Sequence, residues 1–468
     1  MPLLSSLLLG IGLVNPQGDI ARQDSSPPNI IFVQAPIIAA GGLTRRFPRG
    51  SRIVGLRRQS WSGSPVDITP EFFAAAGPRM SFDGNRVLFA GQKFEGGLWQ
   101  VWEMNADGSD KRQITSCMEN CLQAAYLPGD EVAYTAVDSK DGEASYLAVC
   151  NRTGSEAHRI TFGLGSFSLE TVLYDGRLVA SAASPLAGGS VSRMLYTLQS
   201  DGTALTAFRS AAAKVGLASD AEELDNGSVV FVRTLGQSES VAGTLSEIVR
   251  GVTHEVPLVA PEPLVWSPRR LAGGQLVVAR WTGGASGSPG RFDLYSFDLA
   301  TRTFAEKIYG DPELSSVQAL AVFPPPKPRR LWSTLSSGTS AGYFICLNSR
   351  LSADGPAGTI PAATRVRVLT LQSGDQELPL GEAPVESDGS FFVAVPADQP
   401  VRFELLDTQG RRVKAQASWI WARPGEQRGC AGCHDDRARA PENRWPLALK
   451  RFDTPTPLGV KVSMPVAP

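Results

Sequence analysis

The residues with the clearest chemistry are Cys430, Cys433 and His434, in the run Cys430-Ala-Gly-Cys433-His434. Two thiols two residues apart, followed at once by an imidazole, make the C-x-x-C-H pattern of c-type haem attachment. The spacing has a chemical reason. The thiols add across two vinyl groups on one porphyrin edge, and the next residue then lies beneath the iron as an axial ligand. Three other readings stay open: a thioredoxin-type dithiol, half of a zinc site, or a plain disulfide. No βαβ pattern surrounds the motif and no second CxxC completes a four-ligand zinc set. The expectation is therefore one covalent haem c on Cys430 and Cys433, with His434 as the iron ligand.

Histidine is scarce: His158, His254 and His434 are all there are. Bis-histidine ligation could draw only on His158 or His254, each of which also reads as a solvated turn residue. Met464 is a further candidate, and five-coordinate iron with an open face is the remaining choice. Arg423, Arg428 and Arg437 could pair with haem propionates through charge-assisted bonds, or be solvated loop arginines. Trp419 and Trp421 alternate on the strand before the motif, where one could pack on a porphyrin. Core packing in the same small domain is the plainer reading. Cys117–Cys121 or Cys121–Cys150 could bond in an oxidising compartment, and buried thiols are the alternative. Cys346 reads as the end of a ring strand that could approach the haem. No Gly-x-Ser-x-Gly elbow, P-loop or His-Glu-x-x-His occurs.

Something must hold this motif, and most of the chain before it is repetitive. An apolar start, a turn with Gly and a β-rich run recur in SFDGNRVLFA, YLPGDEVAYTA, LYDGRLVASA, LDNGSVVFVR and LAGGQLVVAR. The turn glycines are Gly84, Gly129, Gly176, Gly227 and Gly274, at intervals of 45 to 51 residues. PPKPRRLWSTL (325–335) reads as a degenerate sixth copy. Each unit continues into a second hairpin with Asp-Gly or Thr-Gly turns, which supply the left-handed positions that tight turns need. Four strands per repeat of this length is the pattern of a β-propeller blade. A six-bladed ring is expected from about Phe32 to Leu351, closed by residues 30–38 pairing with the last blade. From about Thr364 the period breaks. TRVRVLTL, GSFFVAVPA, VRFELLDTQG and RRVKAQASWIW then read as a small β-sandwich. The fold expected is all-β, a six-bladed propeller followed by a β-sandwich-like domain with the CxxCH. Its divisions are 1–26 (signal peptide and linker), 27–355 (propeller) and 356–468 (sandwich and tail).

Composition bounds the partners. With 45 Lys and Arg against 46 Asp and Glu the formal charge is -1, unlike a nucleic-acid-binding surface or a highly charged disordered chain. Six cysteines in 468 residues are too few for a disulfide scaffold. Residues 3–14 (LLSSLLLGIGLV) fall short of the ~20 needed to span a bilayer. They have the length of a signal-peptide core, although no basic residue precedes them. No integral membrane span is expected. Covalent haem attachment takes place outside the cytoplasm, so a periplasmic or otherwise extracytoplasmic location follows from both readings.

Two resemblances rest on these motifs. SFDGNRVLFAGQKFEGGLWQVWEMNADGSDKRQIT (81–115) resembles TolB-like propeller repeats. At SWIWARPGEQRGCAGCHDDR, with the SDGSFFV strand (387–393) before it and the repeats before that, residues 30–450 resemble the hydrazine synthase alpha subunit family. That resemblance implies a propeller plus a middle domain with one c-type haem at Cys430, Cys433 and His434. In that family a tyrosine four residues after the motif histidine binds the iron. Here Ala438 stands there, so ordinary His434 ligation is implied instead. The further domain with a second CxxCH has no counterpart in these residues. The resemblance thus implies architecture and haem rather than hydrazine synthesis. The function expected is an extracytoplasmic monohaem protein for electron transfer or small-molecule redox chemistry, a haem-dependent oxidoreductase among the options, with a redox partner or other subunits. The alternative is a non-enzymatic propeller scaffold for a protein partner, with the CxxCH vestigial or a metal or disulfide site.

Overall fold

The computed structural model describes residues 29–432 and 444–460, except 40, 58–62, 139–143, 164, 186–190, 209–215, 236–240, 250–254, 260–261, 284–289, 352–362, 373–375, 417, 452 and 454. The repeat glycines lie where the sequence places them, in hairpin turns between the first two strands of a unit. Polar side chains close those turns. Asp83 Oδ1 accepts from Asn85 N at 3.0 Å, and Asn226 Oδ1 accepts from Ser228 N at 2.9 Å. Gly176 shows why glycine is needed. Its φ is +93°, and a Cβ there would stand 2.2 Å from Arg329 O.

Among the described residues, the strands up to Ala321 form six four-stranded antiparallel sets. Two of the sets are joined by a single parallel bridge, Arg193 with Leu217. The innermost strands are Ala74–Met80, Asn120–Leu127, Phe167–Val172, Gly216–Glu223, Val265–Leu271 and Ser315–Ala321. Each touches the next, and the last touches the first, so the sets close into a ring. Closure uses both ends of the chain. Ser315–Ala321 is the inner strand of a sheet whose other strands are Ile30–Ala35, Arg52–Leu56 and Val66–Asp67. The expected pairing of residues 30–38 is present, with Val33 opposite Val317. Two further strands accompany it.

Each inner strand breaks register once, and five place a left-handed residue at or beside the break: Gly77, Gln123, Asp220, Ser267 and Gln318. Such bulges re-aim side chains. Here they tie neighbouring sheets together. Gly77 N donates to Gln318 Oε1 at 2.8 Å, and Gln318 N to Ser267 Oγ at 2.9 Å. Asp220 N donates to Glu170 Oε2 at 2.6 Å. Fully buried Trp99, Trp266 and Phe89 fill the space between sheets.

Two expectations differ. PPKPRRLWSTL forms no strand. Pro324, Pro325, Pro326 and Pro328 remove the donors a ladder needs. The segment instead crosses the ring, with Arg329 N donating to Tyr174 O and Thr334 N to Asp201 Oδ2. Strand Ala341–Cys346 does not end the ring either. It pairs with Phe391–Pro396 on one side and, in parallel, with Gln427–Cys430 on the other.

These three strands and Thr456–Pro457 form one sheet of the sandwich; Gln376–Pro384, Arg365–Gln372, Val401–Leu406 and Arg412–Ala415 form the other. Phe344, Val366, Val368, Val393, Val395 and Leu405 fill the core between them. The four strands expected from alternation are present. Gln376–Pro384 had no such signal, because Pro379, Gly381 and Pro384 interrupt it; it lies at a sheet edge, where proline is tolerated.

Candidate functional site

Cys430 ends the strand Gln427–Cys430, which is held by backbone bonds rather than by apolar alternation. Tyr343 N donates to Glu426 O at 2.8 Å and Leu347 N to Cys430 O at 2.8 Å. This register sets Cys346 directly beside Cys430 on the adjacent parallel strand. Both cysteines line a cavity of about 240 Å3 with Phe344, Phe391, Phe403 and Leu405. The lining is mostly apolar and aromatic. Its chief polar oddity is Ser349, 1% exposed, whose Oγ has no hydrogen-bond partner. An unsatisfied buried hydroxyl is costly and marks a place where a ligand could contribute. Burial pushes the Cys430 thiol above the ordinary cysteine value, with Arg428 pulling the other way. Gly432, inside the motif, packs on the chain before it: a Cβ there would stand 2.7 Å from Leu351 O.

Cys433 and His434 lie outside the described residues, as do His254, Arg437, Ala438 and Met464. His158 is exposed on the two-residue strand His158–Arg159, with Nδ1 2.9 Å from Glu156 O. Cys117 and Cys121 are disulfide-bonded. Cys150 is buried, and burial pushes its thiol up to about 11.

The arginines and tryptophans before the motif do something other than the sequence suggests. Trp421 is not sandwich core. Its fully buried indole inserts into the ring, edge-on to Phe167 at 5.5 Å and Phe162 at 6.4 Å. Burying a tryptophan removes ~150–250 Å2 from water, at most about 4–6 kcal/mol. Trp419 stays on the sandwich surface beneath Arg402. Arg423 pairs with Asp398 at 2.9 Å and lies over the Phe162 ring. Arg428 donates to Leu205 O at 2.9 Å and to Trp421 O. Both guanidinium groups are thus engaged at the joint between sandwich and ring. Glu426, which the sequence did not single out, completes the joint: Ala204 N donates to Oε1 and Arg423 N to Oε2, each at 2.8 Å. The strand ending in Cys430 is therefore bolted to two ring sheets within nine residues of Trp421.

Comparison with known proteins places this arrangement. Residues 353–435 match the family described as hydrazine synthase alpha subunit middle domain. Hydrazine synthase subunit alpha of Kuenenia stuttgartiensis is 23% identical over 579 residues, spanning 91% of this chain and 69% of that protein. The solved Kuenenia stuttgartiensis hydrazine synthase superposes with a TM-score of 0.80 at 21% identity, covering 91% of this chain and 72% of that one. TolB from Acinetobacter baumannii matches at 13% identity and a TM-score of 0.46, over 62% of this chain and 66% of its own. Together the first three support a hydrazine synthase alpha-like family, as the motifs implied.

Proposed function

We propose that this hydrazine synthase alpha-like chain is an extracytoplasmic monohaem c-type protein that transfers electrons or performs redox chemistry on a small molecule. The observation that carries the reading is Cys430 in the wall of an apolar, aromatic-lined cavity at the start of a C-x-x-C-H run. Cys430 and Cys433 would hold the haem and His434 would ligate its iron. When bound, the group supplies one-electron chemistry at iron. The chain's own residues would do the rest. Phe344, Phe391 and Phe403 would present apolar surface to the group and keep water from that side, and Ser349 Oγ would offer a polar contact inside the cavity. Glu426 and Arg428 hold the attachment strand at a set position on the ring. The Cys117–Cys121 disulfide suits the oxidising compartment in which haem attachment occurs. The likeness to a hydrazine synthase subunit suggests partner subunits or a redox partner.

The test is expression with a cytochrome c maturation system. A covalent haem band that vanishes in the Cys430→Ala, Cys433→Ala double variant is expected; a band that survives it, or none in the parent, overturns the reading. Carbon monoxide separates the two roles. Binding to the reduced protein marks an open iron face suited to small-molecule chemistry, and a spectrum that ignores it marks an electron carrier.

A further inference from the structure

Cys346 has no part in the C-x-x-C-H spacing, yet the sheet sets it beside Cys430. Strands Ala341–Cys346 and Gln427–Cys430 run in parallel, and their aligned pairs end with Cys346 opposite Cys430. The register continues past both cysteines: Leu347 N donates to Cys430 O at 2.8 Å and Asn348 N to Ala431 O at 3.2 Å. Both cysteines line the same cavity, so their side chains share one face of the sheet. Neither is in a disulfide. Neighbouring strands stand ~4.7–4.9 Å apart, within the ~4.4–6.8 Å that disulfides bridge between Cα atoms. A bond between the two therefore asks for side-chain rotation rather than for movement of the backbone.

Access to the pair is one-sided. Gln427–Cys430 is the edge strand of its sheet, and Cys430 is half-buried. Its neighbour Gly429 is exposed, and a Cβ there would meet nothing within 4 Å. A small disulfide can approach Cys430 from this open edge. Cys346 is only 3% exposed and lies behind it among Phe344, Val393 and Val366. The arrangement is an outer thiol open to attack with an inner thiol placed to resolve the product. Cys150, by contrast, is buried in a separate core of the ring, and Cys117 is already bonded to Cys121.

We propose that Cys346 and Cys430 form a reversible disulfide when the chain carries no haem, with a small-molecule or protein disulfide as the oxidant. The Cys430 thiolate attacks one sulfur of the oxidant, giving a mixed disulfide and releasing the first oxidant thiolate. The Cys346 thiolate then attacks the Cys430 sulfur and displaces the second. The protons lost by the two cysteines end on the two oxidant thiols, and two electrons pass from the cysteine pair to the oxidant disulfide. The bond withdraws Cys430 from addition to a vinyl group, so reduction has to precede haem attachment. That consequence rests on the haem reading above; the bond itself does not.

The test uses full-length protein made without a cytochrome c maturation system. It is treated with glutathione disulfide, alkylated with iodoacetamide under denaturing conditions, digested and read by mass spectrometry. A peptide pair joined through Cys346 and Cys430 is expected. Alkylation of Cys430 should fall at least fivefold on oxidation and return after reduction with a phosphine, while Cys150 enters no bond. The Cys433→Ala protein should form the same pair. In the Cys346→Ala, Cys433→Ala protein glutathione should stay on Cys430, since neither partner thiol is left to displace it. A Cys430–Cys433 bond in place of the pair, or no bond at Cys346 in the oxidised parent, overturns the proposal. Because every sample is haem-free, failure of the haem reading would leave these outcomes unchanged.

Discussion

Trp421 fills the space that a side chain at position 163 would need: a Cβ on Gly163 would stand 2.9 Å from Trp421 Cζ3 and 3.3 Å from Cε3. The indole belongs to the segment that leads into the CxxCH run, and the glycine belongs to the ring. Their contact makes the position of Cys430 a property of both units, since Trp421 and Cys430 are nine residues apart and Arg428 bonds back to Trp421 O between them.

Gly163→Ala should therefore loosen the joint without touching the motif. Trp421→Ala should do so more strongly, by about 3–5 kcal/mol, the usual cost of truncating a buried large aromatic. Denaturant unfolding should show the sandwich parting from the ring earlier in both variants, with faster proteolysis near residues 322–340. A Gly163→Ala protein that unfolds like the parent would show that the close approach carries no energy.

Among the described residues, Glu103 is the most thoroughly paired buried carboxylate. It is fully buried and meets Arg86 at 2.9 Å, Arg112 at 2.6 Å and Arg152 at 2.8 Å, while Tyr126 donates its hydroxyl at 2.9 Å. Burial alone would push its carboxyl up, but the hydrogen bonds from Arg112, Arg152 and Tyr126 outweigh it and hold the group below the usual glutamate value. A carboxyl with a depressed folded value adds stability that is fully present above the unfolded value of ~4.3. That stability is lost as pH falls through the folded value. Glu103→Gln should cost about 1–3 kcal/mol at pH 7, the usual cost of losing charge-assisted hydrogen bonds at a buried acceptor, because Arg112 loses its carboxylate while Arg86 and Arg152 keep Asp110 and Asp130. The gap between parent and variant should shrink below about pH 4, as urea midpoints across pH would show.

Gly176 and Gly274 occupy equivalent turns and both have positive φ, +93° and +74°. Their surroundings differ. A Cβ at 176 would collide with Arg329 O, whereas one at 274 would meet nothing within 4 Å. Gly274→Ala should cost about 1–2 kcal/mol, the conformational penalty alone. Gly176→Ala should cost more and should displace the crossing segment. Equal thermal shifts in the two variants would show that the segment yields freely.

Cys346 adjoins Cys430 in the same cavity but lies outside the C-x-x-C-H spacing. Under the proposed haem attachment, Cys346→Ala should keep a covalent haem band after denaturing electrophoresis, while Cys430→Ala should reduce it. Loss of the band in Cys346→Ala alone would assign attachment to the wrong thiol.

Much of the fold was legible because it is locally encoded. Gly84, Gly129, Gly176, Gly227 and Gly274 mark turns whose φ only glycine adopts readily, and the alternating runs on either side of them declare strands. The crossing segment and Ala341–Cys346 depart from the sequence pattern for a shared reason. PPKPRRLWSTL has the interval of a repeat but not its donors, and GYFIC has the alternation of a strand but no mark of which sheet it joins. Arg423 and Arg428 lie near the motif in sequence, but their partners Asp398, Arg159 O and Leu205 O lie 25 to 264 residues away.

What the chain determined by itself was the repeat, the turns, the all-β character and the C-x-x-C-H spacing. Each depends on backbone conformation or covalent reach over a few residues. Only tertiary structure decided that Ile30–Ala35 completes the sheet of Ser315–Ala321, that Trp421 enters the ring, that Cys346 stands beside Cys430, and that Arg79 and Arg269 share one end of the axis. Those are pairings between distant residues, and they arise from closing the ring and from burying apolar surface that no single repeat can bury alone.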